Sequence, residues 1–183
     1  KYKDLNHDGV IDSNDQAPIG YNPVPEMTFS LAAGLNWKGI DFSILLQGAA
    51  RSSIYLQQDI AWDNFWGNYY EEHIGRWTPE TAATATYPRF TKAATPAHPN
   101  YYKSDYWLKD SKYLRLKNIQ LGYTIPRKLL KKFGVRSLRV YANAYNLFTW
   151  DNVKKVDPES SNNSNGQFYP QQKVINFGIN LNF

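Results

Sequence analysis

Residues 175–183 read Ile-Asn-Phe-Gly-Ile-Asn-Leu-Asn-Phe, and this stretch decides the fold of the 183-residue chain. Its odd positions are all apolar, whereas its even positions are asparagine or glycine. A period of two residues is typical of a β-strand with one apolar and one polar face. In a transmembrane barrel, the apolar face of such a strand meets lipid and the polar face lines the lumen. The stretch therefore predicts a membrane-barrel strand that runs to the last residue, Phe183.

The same alternation occurs in four earlier segments, which we expect to be further strands of one antiparallel sheet. In the third of these segments, the apolar residues change from even to odd positions near Lys117-Asn118. One extra residue in a β-bulge would restore the phase; alternatively, the first half of this strand stands above the bilayer. Arg139 would cost about 2–4 kcal/mol at the lipid midplane, so we expect it on the polar, lumen face. The predicted strands lie at about 27–38, 40–49, 112–125, 137–149 and 173–183.

The connections between these strands alternate in length. Two connections are short. The first is a turn at Lys38-Gly39, and the second joins the third and fourth strands through about ten residues with one helical turn. Residues 50–111 and 150–171 form long connections. Outer-membrane barrels have short periplasmic turns and long extracellular loops. The alternation therefore places Phe183 in the periplasm, and both long connections, together with residues 1–26, outside the cell.

The predicted fold is all-β: a transmembrane antiparallel β-barrel to which this chain supplies about the last five strands and their long extracellular loops. Five strands cannot close a barrel, and an open sheet edge is not tolerated in lipid, so we expect the remaining strands to come from preceding sequence. No segment has the roughly 18 consecutive apolar residues that a transmembrane helix needs. The mean hydropathy of −0.60 is compatible with a barrel, because alternating strands lower such an average.

Charge and cysteine content exclude several classes of site. The formal net charge is +5, and the chain contains no cysteine, which excludes a disulfide framework and a thiolate metal site. Many of the cations stand in one short segment, PRKLLKKFGVR at residues 126–136. This clustering favours a solvated turn over a phosphate-binding patch. We therefore expect no nucleic-acid partner.

Residues 4–15 read Asp-Leu-Asn-His-Asp-Gly-Val-Ile-Asp-Ser-Asn-Asp and have the spacing of a calcium-binding loop. Gly9 stands at the sixth position, where the chain must turn sharply. Asp15 departs from the usual pattern, because a glutamate normally binds at the last position with both oxygens. The alternative is a solvated acidic turn, in which Asp and Asn only favour turn geometry. The predicted ligands of a structural Ca²⁺ ion are Asp4, Asn6, Asp8, Val10 through its carbonyl oxygen, Asp12 and Asp15.

The long connection at residues 50–111 is rich in aromatic side chains. Connections longer than about 15 residues are usually functional or disordered, and this one is too aromatic for disorder. Three interpretations remain open. The rings form the loop's own core, with an interfacial belt at its ends, or they contact a protein partner, or they stack on the sugar rings of a substrate. The candidate substrate or partner contacts are Trp62, Trp66, Tyr69, Tyr70 and Trp77.

The acidic residues and the histidine of this connection form no catalytic motif. The sequence Glu71-Glu72-His73 lacks the spacing of a zinc-binding helix motif. Asp59 and Asp63 alone are weak evidence for acid–base chemistry. The chain also has no glycine-rich phosphate loop, no nucleophile elbow and no plausible triad. We therefore predict that the protein is not an enzyme.

Five phrases occur in a fixed order: "DLNHDGVIDSNDQAPIGYNPVPEMTFSLAAGLNWKGIDFSILLQGAAR", "RWTPETAATATYPRF", "SDYWLKDSKYLRLKNIQLGYTIPRKLL", "LRVYANAYNLFTW" and "NFGINLNF". Together they resemble the late-barrel region of SusC/RagA-type TonB-dependent transporters of Bacteroidetes. The resemblance covers essentially the whole chain. The terminal aromatic, Phe183, is similar to the C-terminal assembly signal of bacterial outer-membrane proteins.

The resemblance implies a multi-pass protein of the bacterial outer membrane that imports oligosaccharides or peptides. It also implies a barrel of about 22 strands with a plugged lumen. The implied partners are the remaining N-terminal barrel and plug of the same transporter, a SusD-like surface lipoprotein acting as a lid, TonB through the N-terminal part absent from this chain, and membrane lipid. Two alternatives remain: a TonB-dependent siderophore or vitamin receptor, and a secreted Ca²⁺-dependent carbohydrate-binding β-sandwich.

Overall fold

The computed structural model describes residues 2–65, 67–92, 95–154, 156–160 and 169–183. β-Strands dominate these residues, and the helices are short. No helix in the described ranges is long and apolar enough to cross a bilayer. The strands are β1 (Met27–Trp37), β2 (Ile40–Ala50), β3 (Ser53–Tyr55), β4 (Leu108–Asp110), β5 (Tyr113–Thr124), β6 (Ser137–Asp151) and β7 (Val174–Asn182). The helical segments are α1 (Arg127–Leu130) and 3₁₀ turns at Gln58–Ile60, Glu71–Gly75, Pro99–Tyr101 and Lys131–Phe133.

Five strands form one sheet in the order β1-β2-β5-β6-β7, and every neighbouring pair is antiparallel. The strands β1 and β7 are its edges, so the sheet is open within the described residues. This architecture confirms the prediction of an all-β antiparallel fold with five main strands. A second sheet pairs β3 with β4 inside the long connection. It was not predicted, because strands of three residues are too short to show an alternation.

The β1–β2 hairpin turns through two residues, Lys38 and Gly39, whose φ angles are 47° and 88°. Two positive φ angles are typical of the type I′ turn, whose twist matches that of the flanking strands. Glycine adopts this conformation without strain. A side chain would also collide here, since a Cβ on Gly39 would lie 2.7 Å from the carbonyl oxygen of Thr124. The turn fixes the register in which Trp37 pairs with Ile40.

Lys117 is the extra residue that the phase change in β5 predicts. Leu45 of β2 pairs with Asn118, whereas the next residue, Leu46, pairs with Leu116, so the register of β2 skips Lys117. The predicted bulge is therefore confirmed. Because one residue is skipped, the apolar side chains before and after the bulge stay on the same face of the sheet. The pairing of β5 with β6 is irregular at the same level.

One face of the sheet is apolar across all five strands. A single cross-strand row runs through Leu35, Phe42, Leu121, Ala142 and Phe177. In the described ranges this row is largely uncovered: Leu35 is 60%, Leu121 56% and Phe177 83% exposed. Soluble monomers rarely expose a contiguous apolar patch of more than a few hundred Å². An uncovered apolar band is instead the surface that a barrel presents to lipid.

The described residues of the connection between β2 and β5, which are 51–65, 67–92 and 95–112, pack into a unit that we call the loop lobe. Its aromatic and aliphatic side chains pack together into a core of the loop's own, which was the first of the three interpretations of its aromatic residues. The 3₁₀ turns and the β3–β4 sheet position these side chains. A residue of the β6–β7 connection, Val153, completes the cluster. The buried members are Ile54, Leu56, Ala61, Trp62, Tyr87, Tyr101, Trp107 and Val153.

Candidate functional site

The polar face of the sheet carries an ion pair that spans three strands. Arg139 of β6 donates from Nε to Oδ1 of Asp41 at 2.8 Å and from Nη2 to Oδ2 at 2.5 Å. The bridge passes over Gly122 of β5, where a Cβ would lie 2.5 Å from both side chains. The guanidinium also lies 4.7 Å from the ring centre of Tyr141. The predicted position of Arg139 on the polar face is confirmed, and the structure adds the carboxylate that matches its charge.

A second charged cluster joins β5 to the connection that follows β6. Arg115, whose side chain is 2% exposed, lies 2.8 Å from Asp157 and 3.3 Å from Glu159. At the bulge, Lys117 lies 3.0 Å from Glu159. The hydroxyl of Tyr113 donates to Glu159 at 2.5 Å. These bonds hold the β6–β7 connection against the polar face of the sheet.

The electrostatics of this cluster keep both acids charged. Burial alone would raise the pKa of Asp157, but hydrogen bonding and charge from Arg115 outweigh it and hold that pKa below its usual range. Burial would also raise the pKa of Glu159. Hydrogen bonds from Tyr113 and Lys117 outweigh this effect, and the pKa of Glu159 lies below its usual value. Sequence reasoning missed the cluster, because the partners of Arg115 are 42 and 44 residues away. The only feature of the cluster that is visible in the local sequence is the pair of cations, Arg115 and Lys117, inside one alternating strand.

Asp63 lies buried at the centre of the loop lobe. Its carboxylate accepts the hydroxyl of Tyr101 at 2.5 Å and the backbone N–H of Thr91 at 3.1 Å. The hydroxyl of Tyr87 lies 3.2 Å from the same carboxylate and 2.8 Å from the carbonyl oxygen of Ala61. Burial, and after it the charge of Asp63, raises the pKa of Tyr87, and burial with the Asp63 hydrogen bond raises that of Tyr101. Asp63 thus organises the lobe from within.

His73 is a second buried polar residue of the lobe, with 2% of its surface exposed. Its Nδ1 accepts the backbone N–H of Tyr70 at 3.0 Å, and its Nε2 lies 3.2 Å from the carbonyl oxygen of Ala61. Because a carbonyl can only accept, Nε2 carries the proton of the neutral ring. Nδ1 therefore caps the 3₁₀ turn at Glu71–Gly75, and Nε2 links that turn to Ala61 elsewhere in the lobe.

The aromatic residues that the sequence suggests as contacts divide between the core and the surface of the lobe. Trp62 belongs to the core cluster and is 2% exposed, so its ring is not presented at the lobe surface. Tyr69 is 57% exposed, and Tyr70 and Trp77 are each 39% exposed. Trp66 lies outside the described residues. Of the suggested contact residues in the described part of the lobe, Tyr69, Tyr70 and Trp77 are therefore accessible at its surface and Trp62 is not.

Residues 4–15 close into a loop through their own carboxylates. Asp4, the first residue, accepts the backbone N–H of Gly9 at 2.9 Å. Asp15, the last residue, accepts the backbone N–H of Leu5 at 2.6 Å. The φ of Gly9 is 84°, the left-handed conformation that the sharp turn requires and that glycine adopts freely. The two ends of the predicted metal-binding segment are therefore brought together.

The donors of this loop fit a hard cation in chemistry. Carboxylates, an amide oxygen and a backbone carbonyl are the ligands that Ca²⁺ prefers. In the described ranges, no three His, Cys, Asp or Glu side chains form a group that could hold a metal ion. Asp8 and Asp12 each accept a backbone N–H through Oδ1, from Val10 at 2.8 Å and from Asn14 at 2.7 Å.

No protein-family model matches the chain. TonB-dependent receptor P26 of Formosa agariphila is 30% identical over 202 aligned positions, which cover the whole chain and 19% of that receptor. TonB-dependent receptor SusC of Bacteroides thetaiotaomicron is 27% identical over 184 positions, again across the whole chain. Over its whole length the chain is therefore homologous to one section of TonB-dependent receptors, SusC among them. It spans about a fifth of the length of these relatives.

The comparison of folds agrees with the comparison of sequences. The RagAB peptide importer in its open-open state matches 95% of the chain with a TM-score of 0.71, at 23% identity and over 19% of the RagAB chain. Its closed-closed state gives a TM-score of 0.64. At this identity the likeness speaks for the fold alone. The sequence matches to TonB-dependent receptors, together with this likeness in fold, confirm the SusC/RagA resemblance inferred from the five sequence phrases.

Proposed function

We propose that the chain forms a section of the barrel of an active outer-membrane importer for oligosaccharides or peptides. The observation that carries the proposal is the five-stranded sheet, apolar and uncovered on one face and polar and charge-paired on the other. The apolar face needs lipid, because water would leave a large apolar area exposed. The two open edges need neighbouring strands, because unpaired backbone groups are costly in a bilayer. The remaining barrel of the same transporter would supply those strands.

In this role the chain binds and guides a solute and performs no covalent chemistry. The polar face would line the passage, and the loop lobe would stand at its extracellular mouth, where the long connections gather. TonB would supply energy through a plug outside this chain. A SusD-like lipoprotein would dock on the loops, where exposed rings such as Tyr69 and Trp77 offer apolar contact area. The clusters around Asp63 and Arg115 would keep these loops in place during opening and closing.

We propose in addition that the loop at residues 4–15 binds a structural Ca²⁺ ion. The support is the ligand spacing and the closed loop, in which Asp15 reaches back to Leu5. The ligands would be Asp4, Asn6, Asp8, the carbonyl oxygen of Val10, Asp12 and Asp15. A bound cation would screen the mutual repulsion of four carboxylates and stiffen the segment before β1.

Fractionation and co-purification of the intact protein test the proposed function. The full-length receptor, tagged in its native host, should be found in the outer-membrane fraction and should require detergent. A lipoprotein should co-purify with it, and a mock purification from the untagged strain should contain neither. A receptor without a lipoprotein that binds only a metal chelate would instead be a siderophore or vitamin receptor. Recovery as a water-soluble monomer would support the β-sandwich and refute the barrel.

Uptake supplies the second arm of the test. A strain without the receptor should lose growth on the oligosaccharide or peptide that the receptor imports, and a plasmid copy should restore it. A variant receptor that cannot engage TonB serves as the matched control, because it should reach the outer membrane and still fail to import. If growth on every glycan and peptide tested is unchanged without the receptor, the proposal of nutrient import is wrong.

A further inference from the structure

The surface of the loop lobe carries a hollow that the proposed transport role does not by itself explain. It has a volume of about 340 Å³ and is lined by Arg76, Trp77, Thr78, Pro79, Arg89 and Phe90. A second hollow of about 700 Å³ adjoins it, shares Arg89 and Phe90, and is lined also by Lys92 and His98. Both volumes fall in the range of roughly 300–1,000 Å³ that is usual for small-molecule sites.

The floor of the hollow is held rigidly by the lobe core. The ring of Phe90 lies 5.7 Å from that of His73 and 5.6 Å from that of Tyr69. The backbone N–H of Thr91, the next residue, is fixed by the buried carboxylate of Asp63. Across the hollow, the backbone N–H of Trp77 donates to the carbonyl of Tyr87 at 2.9 Å. A preformed floor lowers the entropy that a ligand would have to overcome on binding.

The rim of the hollow is positively charged. Arg76, Arg89 and Lys92 are all exposed, and in the described part of the chain none of them is within ion-pair distance of a carboxylate. The Arg76 guanidinium instead lies 5.0 Å from the ring centre of Phe90. The pKa of the acid Glu80, two residues after Thr78, lies below its usual value, chiefly through hydrogen bonding with the Thr78 side chain. The rim therefore has cations to offer to an anionic ligand.

The recognition groups are side chains rather than backbone. Three lining residues, Arg76, Trp77 and Thr78, already donate their backbone N–H groups within the lobe. In the described part of the lobe, none of the lining residues belongs to a strand, so a peptide would find no strand edge there to pair with. Guanidinium groups suit carboxylate and sulfate oxygens, which they bind with two parallel bonds. The partly exposed ring of Trp77 offers a flat apolar surface to the C–H face of a sugar ring.

We propose that this hollow binds the anionic groups of an acidic oligosaccharide, with Arg76 and Arg89 on its carboxylate or sulfate and Trp77 and Phe90 against its rings. The choice of a glycan rests on the proposed import of nutrients, whereas the binding of an anion rests on the hollow alone. The adjoining hollow extends the site toward Lys92, so that a chain of several acidic sugars would meet cations along its length.

Equilibrium binding to the intact receptor in detergent tests the proposal without requiring transport. The probes are a short oligogalacturonate, a sulfated galactan oligosaccharide and a neutral galactan oligosaccharide of equal length. Each acidic probe should bind more tightly than the neutral one, and its binding should weaken between about 0.1 M and 1 M salt as charges are screened. Arg89→Gln should weaken acidic binding by roughly ten-fold or more, since hydrogen bonds to charged groups are strong.

Two control variants separate this effect from a folding defect or from loss of overall charge. Arg89→Lys, which keeps the cation, should retain more affinity for the acidic probes than Arg89→Gln. Arg127→Gln with Lys128→Gln removes two exposed cations at the short turn and should leave binding unchanged.

The proposal is overturned if the neutral probe binds as tightly as the acidic ones. A short polyglutamate peptide that binds more tightly than either glycan would also overturn it, in favour of acidic peptides. If acidic glycans bind to the receptor but are not taken up, the proposed binding site is supported and the import proposal fails.

Discussion

The ring of Tyr141 lies over Gly178, its partner across the β6–β7 strand pair, and fills the space that a side chain at Gly178 would need. The same ring lies beside the guanidinium of Arg139. Gly178 therefore leaves room on the polar face for the ring of Tyr141, and Gly122 leaves room for the ion pair of Asp41 with Arg139. Glycine is otherwise unfavourable inside a strand.

Gly178→Ala tests this packing. The new methyl group would displace the ring of Tyr141 and weaken its contact with Arg139, so we expect a loss of about 1–3 kcal/mol in unfolding free energy. The urea midpoint of the intact receptor in detergent measures it. Gly34→Ala is the matched control, because its Cβ would meet only the carbonyl oxygen of Phe42 at 3.6 Å. Equal midpoints for the two variants would contradict the assignment.

The ion pair between Asp41 and Arg139 should show coupling in a double-mutant cycle. Arg139→Gln leaves the carboxylate of Asp41 without its bidentate donor, and Asp41→Asn leaves the guanidinium without its counter-charge. Each single variant should lower the urea midpoint, and the double variant should lose less than the sum of the two. Additive losses would mean that the pair contributes no mutual stabilisation.

Acid should loosen the cluster around Arg115. The folded-state pKa values of Asp157 and Glu159 lie below their ordinary values. Their pairing therefore adds stability that is complete above the unfolded-state values of about 4 and is lost as the pH falls through the folded-state values. We expect the urea midpoint to fall from about pH 5 toward pH 2. Asp157→Asn with Glu159→Gln should lower the midpoint at neutral pH and flatten this fall; an unchanged pH slope would refute the assignment.

Calcium should bind to the loop at residues 4–15 and protect it. Calorimetry on the intact receptor, stripped with a chelator, should detect one Ca²⁺ site that Asp8→Ala weakens strongly, because that substitution removes a ligand. Asp105→Ala removes an exposed carboxylate of the lobe and should leave binding unchanged. Addition of Ca²⁺ should also slow proteolysis of the loop. If Ca²⁺ binds equally to both variants, the predicted ligands are wrong.

The main sheet could be predicted from sequence because lipid and lumen impose opposite chemistry on alternate residues. The strand at residues 175–183 shows this most clearly, and the bulge at Lys117 followed from the same rule. The loop lobe obeys no such rule. The tertiary packing of the lobe places Trp62 inside it and Trp77 at its surface, and alternation says nothing about that. The partners of Arg115 were out of reach for the same reason, since a pairing across 42 residues leaves no local pattern.

In the proposed importer, the charge pairing on the polar face would have an electrical consequence for a passing solute. The three cations Arg115, Lys117 and Arg139 meet the three carboxylates Asp41, Asp157 and Glu159. Paired charges of opposite sign cancel within a few ångströms, so this wall projects little net field into the space it faces. We expect it to be indifferent to the sign of a solute's charge. Any preference for anions would then be set at the rim of the loop lobe, before the solute enters.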